Sequence, residues 1–437
     1  MTEIFYIFFQ LVIFISLFSL NIFFFQRNLL KVLNLSFYEN LTLNVLFQIN
    51  LVLFLSLFNL NFEKIVFIYL TIVLIIFILN IFNWEFLVSS IKKINYKIFL
   101  LSFVCFVIFI DIAFNLTLSW DASKFWFNKT LNFYNSNSIS NLENIARPHY
   151  PHLGTLLWAT FWKISFLTHE YSGRLFFAFI YALSIFLIFE NLNSSRIIKA
   201  ILSIFVFLIT YDYLLIASGN QEIIIFALIC FSMNSFYKLS LRIKINENLN
   251  IILILLVCNS LIWIKLEGAI YSFILILTLI FFFNLSFKKK FLIFLSYLLF
   301  YLTKIFIFKL YNFEITLNPC CYNDLSFSGI ANKITIDRIL IIFKFLLFSL
   351  FKNYLILIGA ILLIICCFDK KLRVKIRYIY FYAIINFLFV FLAYLFADYD
   401  IVFMLKTGID RLIFSFSPFI ILLLIEYLNS KKLNFYK

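Results

Sequence analysis

Long apolar runs recur along the whole chain, separated by short polar and basic breaks. As helices, runs of 18 or more such residues cross a hydrocarbon core roughly 30 Å thick. They lack the period-two alternation that a lipid-exposed barrel strand needs. The pattern predicts an all-α polytopic membrane protein of about thirteen spans, near 5–24, 42–60, 66–83, 98–118, 172–191, 200–217, 221–238, 250–264, 268–286, 291–309, 354–368, 378–397 and 410–428. One run differs. LGTLLWATFWKISF, at 153–166, is short and carries a lysine near its middle. Runs of that length are commonly interfacial or re-entrant.

The breaks decide how that run is read. If 153–166 does not cross, the segments SSIKKINYK, NSSRIIK, YKLSLRIK, FKKK, DKKLRVKIR and NSKK all fall on one side. An excess of Lys and Arg marks that side as cytoplasmic. The loops at 119–171, 218–220, 310–353 and 398–409 then lie opposite. A crossing at 153–166 would flip every later basic loop relative to the first. The expectation is therefore a single transmembrane domain over 1–437, with an external N-terminus and an internal C-terminus. A large extracytoplasmic loop at 119–171 ends in a juxtamembrane helix lying on or dipping into the membrane. A second outer loop at 310–353 holds an amphipathic helix near 337–349. The first run lacks a basic leader and a small-residue cleavage site, and reads as a retained span. No internal repeat or Gly/Ser linker is seen.

Composition agrees. The chain is 64% hydrophobic and 13% charged, where soluble folds carry about a quarter charged residues. Its 64 Phe fit an A/T-rich codon bias and carry no functional weight. The net charge of +15 is explained by the cytoplasmic loops, so no nucleic-acid partner is expected. Seven cysteines show no C-x-x-C or Cys/His spacing of a zinc site. Cys320 and Cys321, just after Pro319, sit in the second outer loop, where an oxidising exterior would reach them.

Charged residues near the hydrophobic zone are costly and point to function by default. On this topology they gather on the outer side: Asp121 after span 98–118, Arg174 opening 172–191, Glu222 opening 221–238, Lys265 and Glu267 at the 264–268 hairpin, and Asp410 and Arg411 opening the last span. Far apart in sequence, they are placed to border one cavity. Each also has a plainer use as an interfacial anchor, and Lys265 with Glu267, or Asp410 with Arg411, would neutralise locally. Asp111, inside FVIFIDIAFN, needs a buried partner that the sequence does not name. His149 and His152 lie three apart, but Pro148 and Pro151 break any helix through them. Two histidines without a third ligand do not make a zinc site.

The order of the pieces is informative. A span is followed by Trp120-Asp121-Ala122 in an outer loop, an aromatic-rich helix, RPHYPHLG at 147–154, and HEYSGRL at 169–175 opening the next span. A second outer acid, Glu222, follows, then Lys265-x-x-Gly268, then Arg411 ahead of Pro418. This series resembles the GT-C superfamily of polyprenyl-phosphate-sugar-dependent glycosyltransferases, which includes protein O-mannosyltransferases and lipid A aminoarabinose transferases. The match covers roughly 98–275 and 405–425.

The resemblance implies transfer of a sugar from a polyprenyl-phosphate donor to an acceptor hydroxyl on a lipid, glycan or protein, on the extracytoplasmic face of a bacterial inner membrane. Such a donor carries its own leaving group. The enzyme needs a carboxylate to take the acceptor proton and fixed positive charge for the phosphate. The base would be Asp121, with Glu222 orienting the acceptor. Lys265, Arg411 and Arg174 would meet the phosphate, Arg by its planar fork. Trp120, His149, Tyr150 and His152 would line the substrate site. A single attack gives inversion. No cofactor is required, and two carboxylates sharing a divalent metal are not demanded. Two other classes of protein share some of these features. A polysaccharide polymerase or ligase places its main basic outer loop late in the chain, whereas the richest outer loop here is early. A transporter or flippase often has repeated halves and Gly- or Pro-broken helices, which this chain lacks.

Overall fold

The computed structural model describes residues 2–19, 35–81, 96–165, 168–241, 247–313, 332–397 and 400–435. The pair Cys320–Cys321 and the rest of 314–331 in the second outer loop lie outside them. The described residues are helical, without strands. In chain order the helices are α1 (Thr2–Ser19), α2 (Phe37–Ser56), α3 (Phe62–Ile81), α4 (Tyr96–Phe114), α5 (Phe127–Tyr134), α6 (Leu153–Ile164), α7 (Tyr171–Phe189), α8 (Arg196–Thr210) and α9 (Glu222–Ser240). They continue with α10 (Glu247–Ile264), α11 (Leu266–Phe282), α12 (Phe287–Leu310), α13 (Ile336–Lys352), α14 (Tyr354–Phe368), α15 (Arg377–Leu395), α16 (Ile401–Phe416) and α17 (Pro418–Phe435).

Among the described residues, eight helices are long and apolar enough to cross a membrane: α2, α3, α4, α7, α9, α10, α12 and α15. The number rises to ten if the bent pairs α13–α14 and α16–α17 each count as one span. The chain is thus a multi-pass helical membrane protein by length and composition. Every expected span coincides with a helix, but not always a full-length one. α1 and α11 are shorter apolar helices, and α8 stops at Thr210, the expected span to 217 being broken before a short separate turn at Tyr213–Ile216. The last expected span is also redrawn. α16 begins at Ile401, nine residues before Asp410, and bends by 42° into α17 where Pro418 removes a backbone donor. Arg411 therefore lies within a helix and does not open one. α13 and α14 meet at 99° across Asn353, whose side chain caps α14.

α7 is the centre of the bundle, buried along its whole length. α6 packs beside it. At 12 residues this helix is about 18 Å long, too short to span, as its sequence suggested. Yet it is not a surface helix: all its residues but Lys163 are buried. The reason is close approach. A Cβ on Gly173 of α7 would lie 2.2 Å from the Trp158 carbonyl of α6, so glycine there lets the two backbones touch, and aromatic side chains fill the margins.

The basic segments share one end of the bundle. Lys97 pairs with Glu190, Lys238 with Glu39, Lys289 with Glu247 and Lys375 with Glu426. Asn429 joins Asn191 and Tyr237 there. Asp111 finds its partners within the protein, accepting from Asn115 (2.7 Å), one turn on, and from Tyr211 after α8.

Candidate functional site

Four segments bring charge together at the other end of the bundle. The first follows α4. Ser119 is tied to the loop before α9: its N–H donates to the Ser218 carbonyl (3.0 Å) and its hydroxyl to Asn220 Oδ1 (2.9 Å). Asp121 follows at once, and Ala122–Trp126 form a π-helical turn. The second segment is that loop itself, which needs Gly219. Its φ is +81°, and a Cβ would lie 2.7 Å from the Trp158 ring and 3.2 Å from Ala122. The loop delivers Glu222 into the first turn of α9, almost fully buried. The third is the single-residue turn between α10 and α11, Lys265. The fourth is the middle of α16.

Arg411 joins them. Its Nε and Nη2 lie 2.7 and 2.5 Å from Glu222 Oε1, and its Nη1 lies 2.5 Å from Asp121 Oδ2. Lys265 Nζ reaches the same Glu222 oxygen at 2.9 Å, with Glu267 at 3.8 Å. Asp121 and Arg411 are about a quarter exposed (28% and 26%), whereas Glu222 is closed off at 2%. The cluster is thus open on the Asp121 side. Asp410 points elsewhere, to Ser349 (2.7 Å) and Lys352 (2.7 Å) of α13, because successive helical residues face different directions. It does not neutralise its neighbour.

Arg174 is not part of this cluster. It is fully buried, donating to the Ala217 carbonyl (2.6 Å), the Thr117 carbonyl (3.3 Å) and Glu170 Oε1 (2.5 Å). Through its two terminal nitrogens it clamps the stretches of chain that lead into Asp121 and Glu222, while its Nε has no partner among the described residues. Trp120 is exposed, edge-on to Phe125. Tyr150 stacks on Trp126 at 5.6 Å and meets His149 edge-on at 4.8 Å. His152 is held between Trp263 (5.2 Å) and Phe133 (6.2 Å).

Sequence reasoning missed Lys129 and Lys304. Lys129 of α5 is fully buried and donates to the Tyr150 carbonyl at 2.6 Å. Burial lowers its pKa to about 7. Burial, with Lys129 and Arg147 nearby, lowers His149 to about 4, and burial, with Lys129 and Lys304, lowers His152 to about 3. Lys304 carried a visible signal: a lysine inside the apolar run of α12. Several buried polar atoms in this region have no hydrogen-bond partner among the described residues: Trp126 Nε1, His149 Nε2, both ring nitrogens of His152, Gln221 Oε1 and Glu222 Oε2. Buried polar atoms are ordinarily paired, so these are available to a ligand or water. Among the described residues no three His, Cys, Asp or Glu side chains gather in a way that would hold a metal.

Comparison with protein-family models, with curated proteins and with solved structures finds no match to the chain.

Proposed function

We propose that the protein is an integral-membrane glycosyltransferase of GT-C type, moving a sugar from a polyprenyl-phosphate donor to an acceptor hydroxyl on a lipid, glycan or protein. One observation carries the reading: Asp121, Glu222, Lys265 and Arg411, spread over 290 residues of sequence, meet in one half-open cluster. In this reading the shorter helices α1, α8 and α11 and the two bent pairs are also passes, giving thirteen. The basic end faces the cytoplasm of a bacterial cell and the cluster faces outward.

The acceptor oxygen attacks the anomeric carbon as the carbon–oxygen bond to phosphate breaks. Its proton passes to the open carboxylate of Asp121. Polyprenyl phosphate leaves with the bonding pair, needing no acid. One displacement inverts the anomeric centre. Arg411 fixes Asp121 against Glu222, so the base is held before the acceptor arrives. Lys265 and Arg411 are engaged by carboxylates, so their part is to hold Asp121 and Glu222 in place rather than to carry the phosphate by themselves.

The test is transfer by purified protein from a polyprenyl-phosphate sugar. Asp121→Asn is expected to abolish it while leaving expression intact. Full activity in that variant sinks the base assignment, and no transfer by the wild-type protein with any such donor sinks the reading.

A further inference from the structure

The charged cluster is a poor phosphate site by itself. Two cations, Lys265 and Arg411, face three carboxylates, Asp121, Glu222 and Glu267. A phosphate brought among them meets more negative than positive charge. A short distance away the balance reverses. Lys304 of α12 is 7% exposed and lies over the Phe308 ring at 5.4 Å. Phe308 packs on Trp263 at 6.0 Å, and Trp263 on His152 at 5.2 Å. Lys304 and Lys129 both act on His152 electrostatically.

Lys304 has no ion-pair partner among the described residues, and Glu267 acts on it electrostatically without pairing. An ammonium buried against an aromatic ring, without a bonded anion, costs several kcal/mol by general solvation arguments. His152 adds two unpartnered ring nitrogens at 1% exposure. Neutral at ordinary pH, it offers one donor and one acceptor. Lys129 brings a further basic group beside it.

We infer that Lys304, with His152 beside it, forms a subsite for a phosphate group presented by a membrane lipid. The lipid origin follows from α12. Leu298, Leu299, Leu302 and Phe306 lie on the exposed outer side of that helix, while Lys304 turns inward. A phosphate carried on a hydrocarbon tail reaches Lys304 with its tail along α12. Glu267 acts electrostatically on Lys304 and lies 3.8 Å from Lys265, so the subsite adjoins the carboxylate cluster on its Glu267 side. The inference rests on the transferase reading for the identity of the group the phosphate carries, but not for the binding itself.

The experiment uses the full chain in lipid nanodiscs, titrated with undecaprenyl phosphate in the disc lipid and, separately, with inorganic phosphate in solution. Undecaprenyl phosphate is expected to bind, with affinity falling at least about tenfold in Lys304→Met and largely kept in Lys304→Arg. Weak inorganic phosphate binding with the same Lys304 dependence supports a lipid-borne source, and equal or tighter binding of inorganic phosphate overturns that source. The unliganded Lys304→Met protein should melt no lower than wild type, since it loses only an unpaired buried charge; a clear fall assigns Lys304 a structural role and overturns the inference. Wild-type binding of neither probe, or unchanged binding in Lys304→Met, also overturns it. Lys304-dependent binding without any sugar transfer keeps the subsite and removes the transferase reading, so the two fail separately.

Discussion

Arg411 lays two nitrogens on a single oxygen of Glu222, at 2.7 and 2.5 Å, and turns its third toward Asp121. The second Glu222 oxygen is buried without a partner among the described residues. Glu222 is therefore held in place by cations that arrive from two other segments, Arg411 and Lys265.

Arg411→Ala leaves Glu222 buried with Lys265 alone. Breaking one side of a buried ion pair costs about 3–5 kcal/mol, and the expected result is a lower melting temperature in detergent. The double variant Arg411→Ala/Glu222→Gln should recover part of the loss, since the stranded charge is gone. Additive losses would show that the two side chains are not coupled.

Asp121→Asn keeps the side chain's shape but removes its basicity. With Asp121 as proton acceptor, turnover should drop about 10²- to 10⁴-fold, with smaller change in the Michaelis constant for donor. A variant that loses donor affinity and keeps turnover would make Asp121 a binding residue.

Gly219→Ala tests the loop that delivers Glu222. Its φ of +81° and the 2.7 Å approach to Trp158 oppose any Cβ. The left-handed conformation alone costs about 1–2 kcal/mol, and the clash adds to it. Both stability and transfer should fall, because Ser119, bound to this loop, also sets Asp121.

The exposed pair Lys352–Asp410 is the contrast. Its side chains are 62% and 42% exposed, and such pairs contribute about 0–1 kcal/mol. Lys352→Ala should leave melting temperature and activity near wild type. A large loss would mean that the α13–α16 contact controls the cluster.

Acid should destabilise the outer loop. His149 and His152 have folded pKa values near 4 and 3, against about 6.5 unfolded, for burial and for the cations Lys129, Arg147 and Lys304 around them. Between those values the unfolded chain binds protons that the folded one does not. Stability therefore falls as pH drops from about 6.5 toward 3, and is untouched by these groups above 6.5. His152→Phe should flatten the slope in a pH series of thermal melts.

Much of this was legible beforehand. Positive charge in the loops separated α6 from the spans, and the cost of charge near lipid pointed to Asp121, Glu222, Lys265 and Arg411, which the fold gathers. Hydropathy failed where the answer lay across the bundle. It could not show that α6 would be buried by its neighbours, since a window averages apolarity without seeing what faces it. It placed Arg411 at a helix start because TGIDR is polar, whereas an arginine with two carboxylates is tolerated mid-helix. Arg174 looked like a free cation because its partners, two backbone carbonyls and Glu170, leave little mark in sequence. Tyr211 as the partner of Asp111 required the end of α8.

The break at Pro418 gives α16 the mechanics of a lever. Arg411 sits seven residues from it, roughly 10 Å along the axis at 1.5 Å per residue. A tilt of about 10° at the 42° bend swings the guanidinium by about 2 Å, enough to release both carboxylates together. A helix continuous through residue 418 would have no such fulcrum, and the arginine would have to be drawn away bond by bond.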